Sequence, residues 1–80
     1  MSAEAMVWAS EQQLPPEQKL LLIGIANQAP SQQIVPDEDM IWVREFTGLS
    51  ESDFDAALEE LVLSHYVRKG YGGYVLPAAK

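Results

Sequence analysis

The run Phe46-Thr47-Gly48-Leu49-Ser50, continued at once by Glu51-Ser52-Asp53-Phe54-Asp55, constrains this chain more than any other stretch. Glycine adopts the positive φ that ends a helix at little cost, and a serine three residues before an acid is a capping arrangement that starts one. Gly48 and Ser50 with Asp53 therefore predict two helices meeting at a tight turn, with Leu49 tucked into the core. Downstream, Phe54, Ala57, Leu58, Leu61 and Val62 recur at spacings of three and four, which makes one apolar stripe of an amphipathic helix. At about 100° per residue, the opposite side displays Ser52, Asp53, Ala56, Glu59, Glu60 and Leu63.

The flanking sequence supplies the remaining elements. Pro15-Pro16-Glu17 suits a first helical turn, and the helix that follows to residue 29 carries Leu20, Leu21, Leu22, Ile23 and Ile25. Apolar on most sides, it is expected at the centre of the core, with Gly24 admitting a neighbouring helix closely. Residues 30–33 read as a loop, Ile34-Val35 as a short strand, and Pro36-Asp37-Glu38-Asp39 as the capped, acidic start of a second helix that runs to about Phe46. Tyr66-Val67-Arg68-Lys69 and Gly73-Tyr74-Val75-Leu76 read as two strands around Gly70-Tyr71-Gly72, and Pro77 ends their pairing. The expected fold is mainly α, three helices with a small β-hairpin in a two- or three-stranded sheet. One domain is expected over residues 1–80, with 1–13 as an N-terminal segment, 14–76 as the fold and 77–80 as a tail. Trp8, in Ala5-Met6-Val7-Trp8-Ala9, is expected to plug the core, or alternatively to mediate self-association.

Several function classes are disfavoured by what the residues can build. Eighty residues allow one small core, and the absence of cysteine excludes disulfides and thiolate metal sites. With one histidine and no glycine-rich loop after a strand, neither a nucleophile with its base nor a nucleotide cradle is assembled, so no catalytic residue, cofactor or metal is expected. Asp37, Glu38 and Asp39 lack the alternating ligands and closing glutamate of a calcium loop, which leaves helix capping as their expected role. No apolar run reaches 18 residues, and residues 1–4 lack the basic and apolar character of a signal peptide, so the expected location is cytoplasmic.

The net charge of −7 is unevenly spread. Asp37, Glu38, Asp39, Glu45, Glu51, Asp53, Asp55, Glu59 and Glu60 lie between residues 37 and 60, with Arg44 as the sole base, so that segment carries about minus eight and the rest nearly cancels. Two readings stand: a solvated helical surface, or a patch that repels nucleic acid and attracts a basic partner.

Lys19-Leu20-Leu21-Leu22, the turn Thr47-Gly48-Leu49-Ser50, Ala57-Leu58 with Leu61, and the Tyr66-Val67 lead-in to the hairpin together carry a resemblance. On them, residues 14–76 resemble the winged helix-turn-helix domains of phage and plasmid replication initiators and of many small bacterial regulators. The resemblance implies that the third helix stands where such domains enter the major groove, its first residues against base edges and backbone. Three departures follow. Glu51-Ser52-Asp53 replace the usual basic or polar residues, which removes phosphate attraction. His65 stands where similar domains place a glycine before the wing, and is expected in the left-handed conformation, which histidine tolerates better than most residues. Arg44 stands where such domains usually carry alanine, leaving Ile41, Trp42 and Phe46 to compete for one buried face alongside Met40 and Val43. Trp42 is then either a core residue under the first helix, its ordinary place, or an exposed side chain beside the acids.

The functional expectation is a non-enzymatic small regulatory protein, from a phage or other mobile element, that binds a basic protein partner through an acidic, DNA-like surface. Trp42 or Phe46 is the expected apolar anchor, Asp53, Asp55, Glu59 and Glu60 the charged rim, and Leu63 a further contact. The alternative is a DNA-binding regulator or replication-initiation module that uses Arg68, Lys69 and Tyr71 of the wing, as a homodimer or within a larger chain.

Overall fold

The computed structural model of the protein describes residues 3–28 and 33–76. In chain order it contains α1 (Ala3–Ser10), α2 (Pro16–Gln28), β1 (Ile34–Pro36), a 3-10 turn (Asp37–Asp39), α3 (Met40–Thr47), α4 (Glu51–Leu63), β2 (Arg68–Gly70) and β3 (Gly73–Val75). The three expected helices correspond to α2, α3 and α4. The three strands form an antiparallel sheet in the order β1-β3-β2, with Val35 and Lys69 both opposite Tyr74. The expected helix end at Ala29, most of the loop after it and the Pro77 stop lie outside the described residues. Among the described residues, no helix is long and apolar enough to cross a membrane.

Central to the core is α2, which packs against α1, α3 and α4 and buries Leu21, Leu22, Ile25 and Ala26 completely. Each large side chain removed from water in this way contributes about 1.5–3 kcal/mol relative to exposure. The stripe of α4 faces α2 as expected, with Phe54, Ala57, Leu58 and Leu61 buried and Val62 half-buried. From the sheet, Val35 and Val75 are buried as well, as are Val67 and Leu76, which flank its strands.

An additional helix occupies the N-terminal segment. The buried line of α1 is Ala5 and Ala9, one turn apart, against α2. Its last turn is held by side chains, since Ser10 Oγ donates to the Val7 carbonyl and Gln12 Nε2 to that of Trp8, both at 2.8 Å. Trp8 is half-buried against the core, its ring centroid 6.2 Å from that of Tyr66. The plug is therefore delivered by a helix.

The turn between α3 and α4 has the expected punctuation. Gly48 takes φ 71°, and Ser50 Oγ accepts a hydrogen bond from the Asp53 amide at 3.2 Å. A further brace comes from the buried Thr47, whose Oγ1 donates to the Arg44 carbonyl at 2.7 Å and accepts from the Leu49 amide at 3.2 Å. The expected acidic cap of α3 is different: neither Pro36 nor Asp39 caps through a side chain. Asp37 instead turns its carboxylate to Lys69 Nζ, 3.2 Å away, and donates its amide to the Gly72 carbonyl at 2.9 Å, fastening the start of α3 to the hairpin.

His65 has φ 66°, as expected for the position that closes α4. Its amide donates to Val62 and the next, Tyr66, to Leu61, the two bonds that close a helix around a left-handed residue. Val67 also donates to the Leu61 carbonyl, so Tyr66 and Val67 complete the helix end and β2 starts at Arg68 rather than Tyr66.

Three stability measurements check this packing by urea denaturation. Leu58→Ala is expected to cost about 2–5 kcal/mol through the cavity it leaves. A Cβ on Gly73 would overlap the Val35 carbonyl, so Gly73→Ala is expected to cost about 1–3 kcal/mol by forcing β1 from β3. His65→Gly removes the left-handed strain while adding freedom to the unfolded chain, and is expected to stabilise by roughly 0.5–1 kcal/mol.

Candidate protein interface

The inward residues of α3 are Met40, Val43 and Thr47. Its outward arc therefore carries Ile41, Trp42, Glu45 and Phe46, with Ile41 52%, Trp42 60% and Phe46 49% exposed. The ordinary placement of Trp42 in the core is not adopted, for a steric reason. The α2–α3 crossing lies at Gly24, where even an added Cβ would stand 3.1 Å from both Val43 Cγ1 and Phe46 Cδ2. A crossing that close has no room for an indole.

Around the arc, at about 100° per residue, the order is Arg44, Ile41, Glu45, Trp42, Phe46. The Arg44 end faces α4, its Nη1 3.7 Å from Glu51 Oε2. The Phe46 end faces α2, its ring against Gly24. Ile41 thus lines a shallow groove of about 250 Å³ with Arg44, Glu51, Phe54 and Asp55, whereas Trp42 and Phe46 lie on the other flank.

On α4, Glu51, Asp53, Asp55, Glu59 and Glu60 are all exposed. Glu51, Asp55 and Glu59 follow one another every fourth residue, a straight row of charge about 12 Å long. Asp55 and Glu59 also border a groove of about 410 Å³ toward the hairpin, together with Leu58, Val62, Lys69 and Tyr74. Asp53 and Glu60 face the start of α2, beside Glu17. Leu63, 65% exposed, lies on the outermost line of α4 with Glu59 and Ala56.

Glu51, Asp55 and Glu59 thus line the flank of α4 toward α3 and the hairpin, Asp53 and Glu60 line the flank toward α2, and Leu63 lies between them, whereas Trp42 and Phe46 are set apart by the width of α3. The apolar side chain beside the acids is Ile41, and Glu51 belongs to the acidic row; neither stood out in the sequence as a contact residue. The signal was present in Thr47. Once its hydroxyl is directed inward to brace the turn, the helical period turns Ile41 toward α4.

The hairpin offers less positive charge than Arg68-Lys69 implies. Arg68 and Lys69 border one groove with Val62, His65 and Val67, but Lys69 is drawn toward Asp37. Lys69 is held by Asp37 and lies 4.3 Å over the Tyr74 ring, and the hydrogen bond it donates to Asp37 is the main cause of its pKa rising above the ordinary lysine value. Arg68 is exposed, and Tyr71 at the hairpin tip is fully exposed.

Compared with protein-family models, with curated proteins and with solved structures, the chain matches none.

The placement of Trp42 is checked by fluorescence. In a Trp8→Phe variant, Trp42 is expected to emit at the long wavelength of hydrated indole and to be quenched readily by acrylamide. A blue-shifted, protected emission would place it in the core instead. Because a lysine stabilised in its charged form supports the fold until pH rises through its raised pKa, the Lys69–Asp37 contact is expected to persist through neutral pH and be lost in strong alkali. Following the Lys69 Nζ resonance by NMR checks this.

Proposed function

We propose that this protein is a non-enzymatic binding module with a winged helix-turn-helix architecture, whose α4 offers a DNA-like acidic surface to a basic protein partner. The topology supports the architecture: α2, β1, α3, α4, β2 and β3 follow in that order, with β3 central in the sheet and the β2–β3 hairpin as the wing. α1 is then an addition that covers the far side of α2.

One observation carries the functional reading. The helix that follows the turn, in the position used elsewhere to enter the major groove, exposes five carboxylates. Arg44, the one base between residues 37 and 60, is beside Glu51. Each phosphate approaching this face meets like charge, while a lysine- or arginine-rich surface is attracted over a Debye length of about 8–10 Å. Ile41 and Leu63 supply apolar contact at the two ends of the acidic face, in keeping with a protein partner. The resemblance to initiator and regulator domains extends the reading to a cytoplasmic regulator from a phage or other mobile element. Binding DNA through the wing is disfavoured, because Lys69 is engaged by Asp37, whose carboxylate offsets its charge.

The immobilised protein and its Asp55→Lys/Glu59→Lys variant test this. A partner captured from cell extract is expected to be basic and to dissociate as salt is raised. The reversal is expected to slow its association on the order of tenfold or more, with the melting temperature little changed. Unchanged association rates would show that α4 is not the binding face.

A further inference from the structure

We infer that the Trp42–Phe46 flank of α3 is a second docking site, which takes an amphipathic helix with an apolar stripe edged by lysine or arginine. This goes beyond the acidic face of α4 and does not depend on it, because the two surfaces lie on opposite sides of the Arg44–Ile41 edge.

The flank is apolar by construction. An eight-residue helix exposes Ile41, Trp42 and Phe46 by about half each, although one of them would serve as well as a polar residue if the arc only faced water. Burial of α3 is already complete without them, through Met40, Val43 and Thr47. The surface also has relief. Gly24 leaves a notch in α2 into which the Phe46 ring leans, and Leu20, half-buried, stands one turn before Gly24 on the same side of α2. A ring seated in a notch beside an exposed indole is a preformed aromatic anchor, the kind of side chain that dominates interface energetics.

Charge selects the occupant. The ionic side chains on this arc are Glu45, between Ile41 and Trp42, and Glu38 on the preceding turn, both exposed. Arg44 is turned to α4 and held by Glu51. A second copy of the chain would bring the same acids and another net −7 against them, so self-association through this flank is opposed. A helix with leucine-type residues at spacings of three and four would cover the rings, and Lys or Arg beside that stripe would meet Glu38 and Glu45. This is the helix-in-groove mode of recognition with acidic selectivity.

The probe is a synthetic Leu/Lys amphipathic helix, titrated into the Trp8→Phe protein while Trp42 emission is followed. A control peptide of equal charge carries glutamine in place of leucine. The Leu/Lys peptide is expected to bind with a blue shift of Trp42 that the control does not produce. Trp42→Ala and Phe46→Ala, exposed positions whose melting temperatures report intact folding, are each expected to weaken binding roughly tenfold, measured by calorimetry. Glu38→Gln/Glu45→Gln is expected to reduce the salt dependence. Asp55→Lys/Glu59→Lys is expected to leave the blue shift in place, so a failure of the α4 surface is separable from a failure of this one. The inference is overturned if the Leu/Lys peptide does not bind, if Trp42 emission does not move, if the control performs equally, if the aromatic variants bind as tightly as the parent, or if sedimentation shows a Trp42-dependent dimer without peptide.

Discussion

The close crossing of α2 and α3 at Gly24 is the contact on which the rest of this surface depends. It fixes which residues of α3 face inward, because only Val43 and the edge of the Phe46 ring fit against a helix that near. With that register set, Thr47 lies inside and braces the turn through Arg44 and Leu49, and α4 starts from Ser50 with its stripe against α2. The outward arc is what remains: Ile41 toward the acids, Trp42 and Phe46 away from them. A single missing Cβ thus propagates from helix packing to the division of the exposed surface into two parts.

Electrostatics works on a different scale. Packing of the domain is short-ranged, whereas the acids of α3 and α4 act together over roughly a Debye length. They are distributed so that no buried cost is incurred, all five carboxylates of α4 being exposed. Asp37, also exposed, is matched by Lys69 and by the hydrogen bond its amide donates to the Gly72 carbonyl of the hairpin. Lys69 is thus paired with Asp37 and Arg44 lies beside Glu51, so the carboxylates of α4 outnumber the cations near them. The proposed attraction to a basic surface rests on this arrangement more than on any one residue.

Much of this was legible in the sequence where backbone chemistry is local. Gly48 and Ser50 fix the turn, His65 closes α4 in the left-handed conformation, and the three- and four-residue spacing from Phe54 to Leu61 marks the buried stripe. What was not legible depended on partners distant in the chain. α1 escaped notice because its buried line is two alanines, which carry little hydrophobic signal but permit close packing. The register of α3 was ambiguous because five apolar residues offered several inward faces, and Gly24 chose among them. Asp37 looked like a helix cap by position, but a lysine 32 residues later provides a charged partner instead. β2 began later than its apolar lead-in implied, since the amides of Tyr66 and Val67 are taken by Leu61.

The proposed function rests on the acids of α4, the helix after the Gly48 turn, turning nucleic acid away. Titration of duplex DNA, from low salt to about 150 mM, tests it most directly, because even nonspecific binding strengthens steeply as counterions are removed. The account predicts no appreciable binding near 150 mM salt and, at low salt, at most a weak interaction. Micromolar binding at about 150 mM salt that disappears when Arg68 and Lys69 are replaced would contradict it, and would assign the wing, not α4, as the working surface.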